Sequence, residues 1–157
     1  MAEYSAIAQQ TINPGEFVIF TTTVVPCNRG LIMHRENTGV FILSGWTPRM
    51  PCCQCGCCSG NGARYLAQFD ANIAIPSTGT AGEIQVAMAL EGVSLPETIM
   101  TVTPTVTEAF FNVGKAITIP VFRGCCETFG VRNISDQPII MSNANLILSR
   151  PDLNVTY

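Results

Sequence analysis

The chain has 157 residues and a mass of 16.9 kDa, which is enough for one domain with its own hydrophobic core. Charged residues make up 12% of the chain and hydrophobic residues 47%. Because a disordered chain needs low hydrophobicity and many charges, this composition excludes disorder. Soluble domains typically contain about 25% charged residues. We therefore expect much of the surface to be buried against copies of the chain or a partner.

The charge pattern excludes two classes of partner. The net charge is −3 and no run of basic residues occurs, so the sequence lacks the electrostatic footprint of nucleic-acid binding. No apolar stretch reaches the roughly eighteen residues that a membrane-spanning helix needs, so we expect no membrane partner. Met1–Ser5 has neither a positive region nor an apolar core, so we do not expect a secretory signal peptide.

The eight cysteines are unusually many for a chain of this length. Extracellular proteins rich in cysteine usually form disulfides, whereas cytosolic ones usually bind metal. A protein assembled in the cytoplasm and used outside the cell reconciles the cysteines with the missing signal. Virion components released by lysis and spore-surface proteins both fit this description.

The first fourteen residues show no clear strand pattern, and the turn signal Asn13-Pro14-Gly15 separates them from the rest of the chain. We interpret residues 1–14 as an arm that is ordered only when a partner holds it. Tyr4, Ile7 and Ile12 are its candidate assembly contacts. We expect this arm to attach the subunit to a lattice.

Segments with strand composition follow one another from residue 17 onward. Enrichment in β-branched and aromatic residues, or apolar–polar alternation, predicts each of them. Tyr65, Phe69 and Ile73 share one face of their segment, and Pro120 favours a strand end or a sheet edge. Threonine and valine between residues 101 and 107 favour a strand over a short helix near Glu108. The predicted strands lie within Phe17–Val25, Gly39–Leu43, Ala63–Ile73, Glu83–Glu91, Thr101–Thr107 and Ala116–Val121.

Turn signals recur at short intervals, so the chain contains about ten short strands. That number in one chain predicts an all-β fold, either a two-sheet sandwich or a barrel.

Four segments of the second half carry a more specific pattern: Ala71–Pro76, Gly82–Gly92, Phe129–Ser135 and Ile139–Leu148. They resemble the TNF-like, complement-like jelly roll at the C-terminus of bacterial exosporium collagen-like proteins. Related small domains occur in phages and Gram-positive bacteria. The likeness covers about residues 15–150. Two features depart from it: no collagen-type Gly-X-Y stalk precedes the domain, and the cysteine-rich insert at 52–58 is outside the family pattern.

The resemblance implies an antiparallel two-sheet jelly-roll sandwich that packs as a homotrimer around an apolar axis. We expect a jelly-roll domain at 15–150 and a C-terminal tail at 151–157, and the flanking prolines and glycines place a cysteine-rich loop at 48–62 within the domain. Oligomerisation also follows independently from the low charge.

Five of the cysteines lie within seven residues, and prolines and glycines on either side indicate a loop tip. Three interpretations stay open. The thiols form disulfides within or between subunits, bind zinc through a thiolate cluster, or stay reduced. We favour disulfides, because adjacent cysteines rarely bond to each other and Cys125 and Cys126 need outside partners. The candidate residues are Cys27, Cys52, Cys53, Cys55, Cys57, Cys58, Cys125 and Cys126.

The sequence offers no catalytic motif and no established metal or cofactor site apart from the possible zinc cluster. The single histidine, His34, supports neither a triad nor a metal triad, and we interpret it as a surface or interface residue. Trp46 and Arg49 are a possible ligand contact, because an aromatic ring beside a cation on a loop can hold a sugar. We prefer to interpret Trp46 as an aromatic packed under the cysteine loop.

Together these observations predict a non-enzymatic structural protein. We expect a homotrimeric subunit on the exterior of a particle, either a phage capsid decoration or fibre head or a component of a spore surface. Its partners would be copies of itself and a capsid, fibre or surface lattice protein. The alternatives are a ligand- or glycan-binding adhesion head and a thiolate metal-binding protein.

Overall fold

The structure is a computed structural model that describes residues 1–27, 29–35, 37–47 and 62–151. These residues form two antiparallel six-stranded sheets, with one turn of 3-10 helix at Pro96–Thr98. The predicted all-β, two-sheet sandwich is therefore confirmed. Within the described residues, no helix is long and apolar enough to cross a membrane.

Sheet A is built around its longest strand, β6 (Gly62–Ala74), which pairs with β10 (Phe111–Phe122) on one side and β12 (Ile139–Ser149) on the other. Its order is β10-β6-β12-β1-β3, and the short strand β2 pairs with the other end of β12. Its strands are β1 (Ala2–Ala6), β2 (Gln10–Ile12), β3 (Thr22–Val25), β6 (Gly62–Ala74), β10 (Phe111–Phe122) and β12 (Ile139–Ser149).

Sheet B has the order β4-β5-β11-β7-β8, and β9 pairs with another part of β7. Its strands are β4 (Ile32–His34), β5 (Phe41–Ser44), β7 (Ile84–Leu90), β8 (Val93–Ser94), β9 (Met100–Val102) and β11 (Cys126–Asn133). The chain also crosses beside β11 near Phe17, where Val18 N donates to Val131 O at 2.8 Å.

The hydrophobic core lies between the two sheets and follows the predicted alternation. On β6, Tyr65, Phe69 and Ile73 are buried together with the alanines at the other odd positions, whereas Arg64, Leu66 and Gln68 are exposed. Pro120 lies on the edge strand β10, the position that a residue without a donor N–H favours. Strand β7 departs from simple alternation, because residues 86–89 are buried on both of its faces.

The threonine-rich segment forms less strand than its composition predicts. Only Met100–Val102 is a strand, and the chain then runs irregularly until β10 begins at Phe111. The physical reason is topological. This segment leaves sheet B at β9 and enters sheet A at β10, so it has to cross between layers. Pro104, which cannot donate a ladder hydrogen bond, lies in the crossing, and Glu108 adopts a φ of 61° there.

The expected separation of residues 1–14 from the core is wrong. Strand β1 pairs with β12 along its whole length and with β3 on its other side, and β2 pairs with β12 as well. Tyr4 and Ile12 are buried, whereas Ile7 is exposed in the turn between the two strands. The alternation Ala2, Tyr4, Ala6 is a half-buried strand pattern hidden by its small residues. Residues 1–14 therefore lack the separation from the core that we expected of a lattice-attachment arm.

We expect Tyr4→Ala to destabilise the protein by roughly 3 kcal/mol, because its ring is 3% exposed and packs at 4.7 Å from Phe41. Urea denaturation would measure the loss. The neighbouring substitution Ser5→Ala, on the opposite face of β1, is the matched control and should change stability little. Equal stability of the two variants would mean that β1 does not belong to the core.

Candidate functional sites

The face of sheet A that points away from the core is the first candidate site; we call it the outer face. The strand registers place its side chains in rows: Thr118, Leu66 and Ser149 form one row, and Ala116, Gln68, Ile147 and Glu3 form the next. Each row runs across neighbouring strands, because residues paired directly in an antiparallel sheet point to the same side.

The outer face carries little charge for an exposed surface. Arg64, Asp70 and Glu3 are the charged side chains at its register positions on β1, β6, β10 and β12. Asn145 Nδ2 donates to Glu3 Oε1 at 3.3 Å, which partly satisfies that carboxylate. Leu66 is 39% exposed and Phe122, at one end of the face, is 67% exposed. A surface of this composition is suited to burial against another protein surface.

The second candidate site is the end of the sandwich where β5 and β10 finish and β6 begins; we call it the cysteine end. Backbone hydrogen bonds join three of its segments. Ser44 N donates to Leu31 O at 2.9 Å, and Gly45 N donates to Cys125 O at 2.8 Å. The last residues of β5 are therefore fixed between the turn that precedes β4 and the turn that joins β10 to β11.

Tyr65 supports this arrangement from inside the core. Its buried hydroxyl lies 2.9 Å from Leu31 O and 2.6 Å from Ser44 O, and donates to one of them at a time. The Arg150 guanidinium lies over the Tyr65 ring at 5.5 Å from its centroid. Burial raises the pKa of Tyr65, and Arg150 opposes that rise. The hydroxyl thus stays protonated as a donor at neutral pH.

Trp46 lies at the centre of the cysteine end and is 55% exposed, which is more than a packed aromatic ring shows. A cavity of about 630 Å³ lies beside it, lined by Arg29, Gly30, Leu31 and Ser44. A second cavity of about 600 Å³ also touches Trp46, and its lining includes Arg123 and the two adjacent cysteines. Arg49, the predicted partner of Trp46, lies outside the described residues.

Three of the eight cysteines can be placed. Cys125 and Cys126 are exposed, Cys27 is half-buried, and all three are free thiols in the structure. Burial favours the neutral thiol of Cys27, but backbone N–H groups of Arg29, Ile32 and Leu31 outweigh it, so the net pKa of Cys27 is lowered. Cys52, Cys53, Cys55, Cys57 and Cys58 lie outside the described residues.

The described part of the chain contains no cluster of three or more residues that could hold a metal ion. Zinc binding through the cysteine loop depends on residues outside the described part of the chain, and it stays a prediction.

The only histidine of the sequence, His34, has a hydrogen-bond partner and a stacking partner within the fold. His34 Nε2 lies 3.0 Å from Thr38 O, to which it donates in the tautomer that carries its proton there. The ring stacks on Phe41 at a centroid distance of 4.6 Å and an interplanar angle of 16°. His34 therefore closes the hairpin between β4 and β5.

Sequence reasoning missed Arg29 and Arg123, which lie 94 positions apart in the chain. Both precede a glycine in a tight turn: Gly30 has a φ of 63° and Gly124 a φ of 79°. A repeated Arg-Gly turn was the available signal, because only glycine adopts this conformation at no steric cost. Nothing local to either turn indicates that both adjoin Trp46.

We expect Gly45→Ala to destabilise the cysteine end. A Cβ at position 45 would overlap the carbonyl oxygen of Phe122 and lie 2.8 Å from that of Cys125, and both are backbone atoms with little freedom to move. The cost should be roughly 1–3 kcal/mol, measured by urea denaturation. Gly82→Ala is the control, since its nearest atom is 4.0 Å away. Equal stability of the two variants would refute the close approach.

No family model matches the chain, and no curated protein matches it in sequence. Among solved structures, it is similar to the globular domain of the zebrafish complement 1qA protein. The match has a TM-score of 0.58 and 10% sequence identity, and it covers 93% of this chain and 94% of that one. At this identity the likeness concerns the fold alone. The chain therefore has a jelly-roll fold like that of a complement C1q globular domain.

Proposed function

We propose that this protein is a non-enzymatic structural subunit that assembles as a homotrimer through the outer face of sheet A. The observation that carries the proposal is the composition of that face. It combines exposed leucine and phenylalanine with small and uncharged polar residues, and charged side chains are few. The sequence resemblance to trimeric TNF-like jelly rolls and the shared C1q-like fold support the same geometry.

Association would bury surface that the chain otherwise leaves to solvent. With 12% charged residues, the protein cannot cover both sheets with charge, and the outer face of sheet A exposes Leu66 and Phe122. Burying apolar area contributes about 25 cal/mol per Å². Association through this face also leaves the hydrogen-bonded interior of the sheet untouched, because the backbone ladder lies in the sheet plane and the contacts are made by side chains.

We place the subunit on the exterior of a particle, either a phage capsid decoration or fibre head or a spore surface. The chain has many cysteines, and its short strands close into two sheets, a form that suits survival outside a cell. A capsid, fibre or surface lattice protein would be the partner. We assign no catalysis, because the sequence carries no recognised catalytic motif.

We further propose that disulfides reinforce the assembly. Cys125 and Cys126 are exposed at the cysteine end, and the neighbouring chain segments leave at Thr47 and return at Gly62, which pairs with Phe122. The other five cysteines lie between those two points in the sequence. Adjacent thiols seldom bond to each other, so each of the pair at 125 and 126 needs a partner elsewhere.

Leu66→Lys tests the trimer. Native mass spectrometry should give three times the 16.9 kDa chain mass for the wild type and the single-chain mass for the variant. A lysine in the middle of an apolar contact would bring three like charges together and bury them unpaired. Since Leu66 is already exposed, the monomer should keep its fold.

The matched control for that experiment is Val93→Lys, an exposed apolar position on the β7–β8 hairpin of sheet B. It should leave the trimer intact. A wild-type protein that is monomeric at micromolar concentration would contradict the proposed assembly, and loss of the trimer in both variants would contradict the choice of face.

Mass measurement in denaturant, with and without reductant, tests the disulfides. We expect the non-reduced protein to lose about 2 Da for each disulfide relative to the reduced form, or to remain a covalent oligomer if the bonds join subunits. Cys125→Ser with Cys126→Ser should remove those links. A fully reduced mass together with stoichiometric zinc would replace disulfides with the metal alternative.

A further inference from the structure

The fold collects arginines at one end of the protein although the sequence contains no basic run. Arg29 lies in the turn before β4, Arg64 near the start of β6, and Arg123 in the turn after β10. The topology brings these positions together at the cysteine end. Glu127, which follows Cys126, and its neighbour Glu91 lie toward the same end, and three further acids lie at the opposite end in the segments before β7, β10 and β12 (Glu83, Glu108 and Asp136). A chain with a net charge of −3 therefore gathers three of its seven arginines at one end.

Trp46 stands between two of these arginines. It shares the lining of one cavity with Arg29 and of the other with Arg123, and both arginines are exposed. Each cavity is open to solvent and has a volume of about 600 Å³, suited to a surface-bound ring rather than an enclosed small molecule. An aromatic ring that is 55% exposed thus shares its two cavities with two exposed cations.

Backbone hydrogen bonds hold Trp46 and the two turns beside it in place; we call this surface the Trp46 platform. Trp46 N donates to Ser44 Oγ at 3.2 Å, and the Gly45 and Ser44 amides donate to the two arginine-bearing turns as described above. In both turns the residue after the arginine is a glycine in the left-handed conformation. Neither arginine therefore has a side chain next to it at that position. A ligand would meet a largely preformed surface and would lose little affinity to ordering it.

We propose that Trp46, Arg29 and Arg123 form a binding site for an acidic polysaccharide. The indole face would stack against the apolar face of a sugar ring, and the guanidinium groups would pair with carboxylates on the rings to either side. A polymer fits better than a single sugar, because two cavities share Trp46 and each has its own cation. The repeated anionic groups of one chain can engage both arginines at once.

The single tryptophan makes the site directly observable, since all indole fluorescence arises from position 46. Titration with polygalacturonate, which carries one carboxylate on each sugar ring, should change the emission of Trp46 and saturate. Arg29→Gln and Arg123→Gln should each weaken binding by roughly threefold to tenfold and reduce its salt dependence. Arg35→Gln, an exposed arginine in the turn at the other end of β4, is the matched control and should bind like the wild type.

Trp46→Ala is followed by affinity electrophoresis, because it lacks the fluorophore, and should lose roughly threefold to tenfold in affinity. If this variant does not fold, the two arginine variants decide the question. Dextran, a neutral polysaccharide, and poly-L-glutamate, which has the charge without the sugar, should bind much more weakly.

Three results would overturn the proposal. They are no binding of polygalacturonate, an equal loss on Arg35→Gln, or equal binding of polyglutamate. None of these readouts depends on the oligomeric state, so failure here is distinguishable from failure of the proposed trimer.

Discussion

The rest of the structure depends on the pairing of β6 with β10 on one side and β12 on the other. This ladder runs along all twelve residues of β10 and fixes which side chains of three strands point inward. A slip of one residue would exchange Tyr65 and Phe69 for Arg64 and Gln68 in the core. The burial of large aromatic side chains therefore determines the register, and the register in turn assembles the outer face from the remaining positions.

The same strands connect the core to the cysteine end. Tyr65 is a core residue by burial, yet its hydroxyl reaches the carbonyl groups of Leu31 and Ser44, which hold the base of the Trp46 platform. Removing that hydroxyl would leave buried carbonyl groups with fewer donors, at a cost of about 1–3 kcal/mol. The stability of the sandwich and the geometry of the cysteine end are thus coupled through the Tyr65 side chain. A substitution in the core near Tyr65 would alter the cysteine end, and a change at that end would alter the stability of the core.

How far the sequence predicts this protein depends on the range over which each signal acts. Alternation in β6 is a local property, and it correctly predicted the strand and its buried face. Strand β1 was missed because Ala2 and Ala6 are too small to mark an apolar face, and its core position is decided by pairing with β12 at the other end of the chain. The convergence of Arg29 and Arg123 on Trp46 is also a product of topology. No pattern within either turn encodes it.

The two proposed sites are compatible because they use different surfaces. Assembly through the outer face of sheet A would leave the cysteine end uncovered, apart from Arg64, which borders both. In a cyclic trimer whose axis runs along the strands, all three cysteine ends would point the same way. Three weak platforms on one rigid assembly would then engage a single polymer, and avidity would raise the affinity by about 10²–10⁴ over that of one site. A sheet face with exposed apolar residues and an end that carries Trp46 between two arginine-bearing turns would in this way serve assembly and attachment without competing for the same residues.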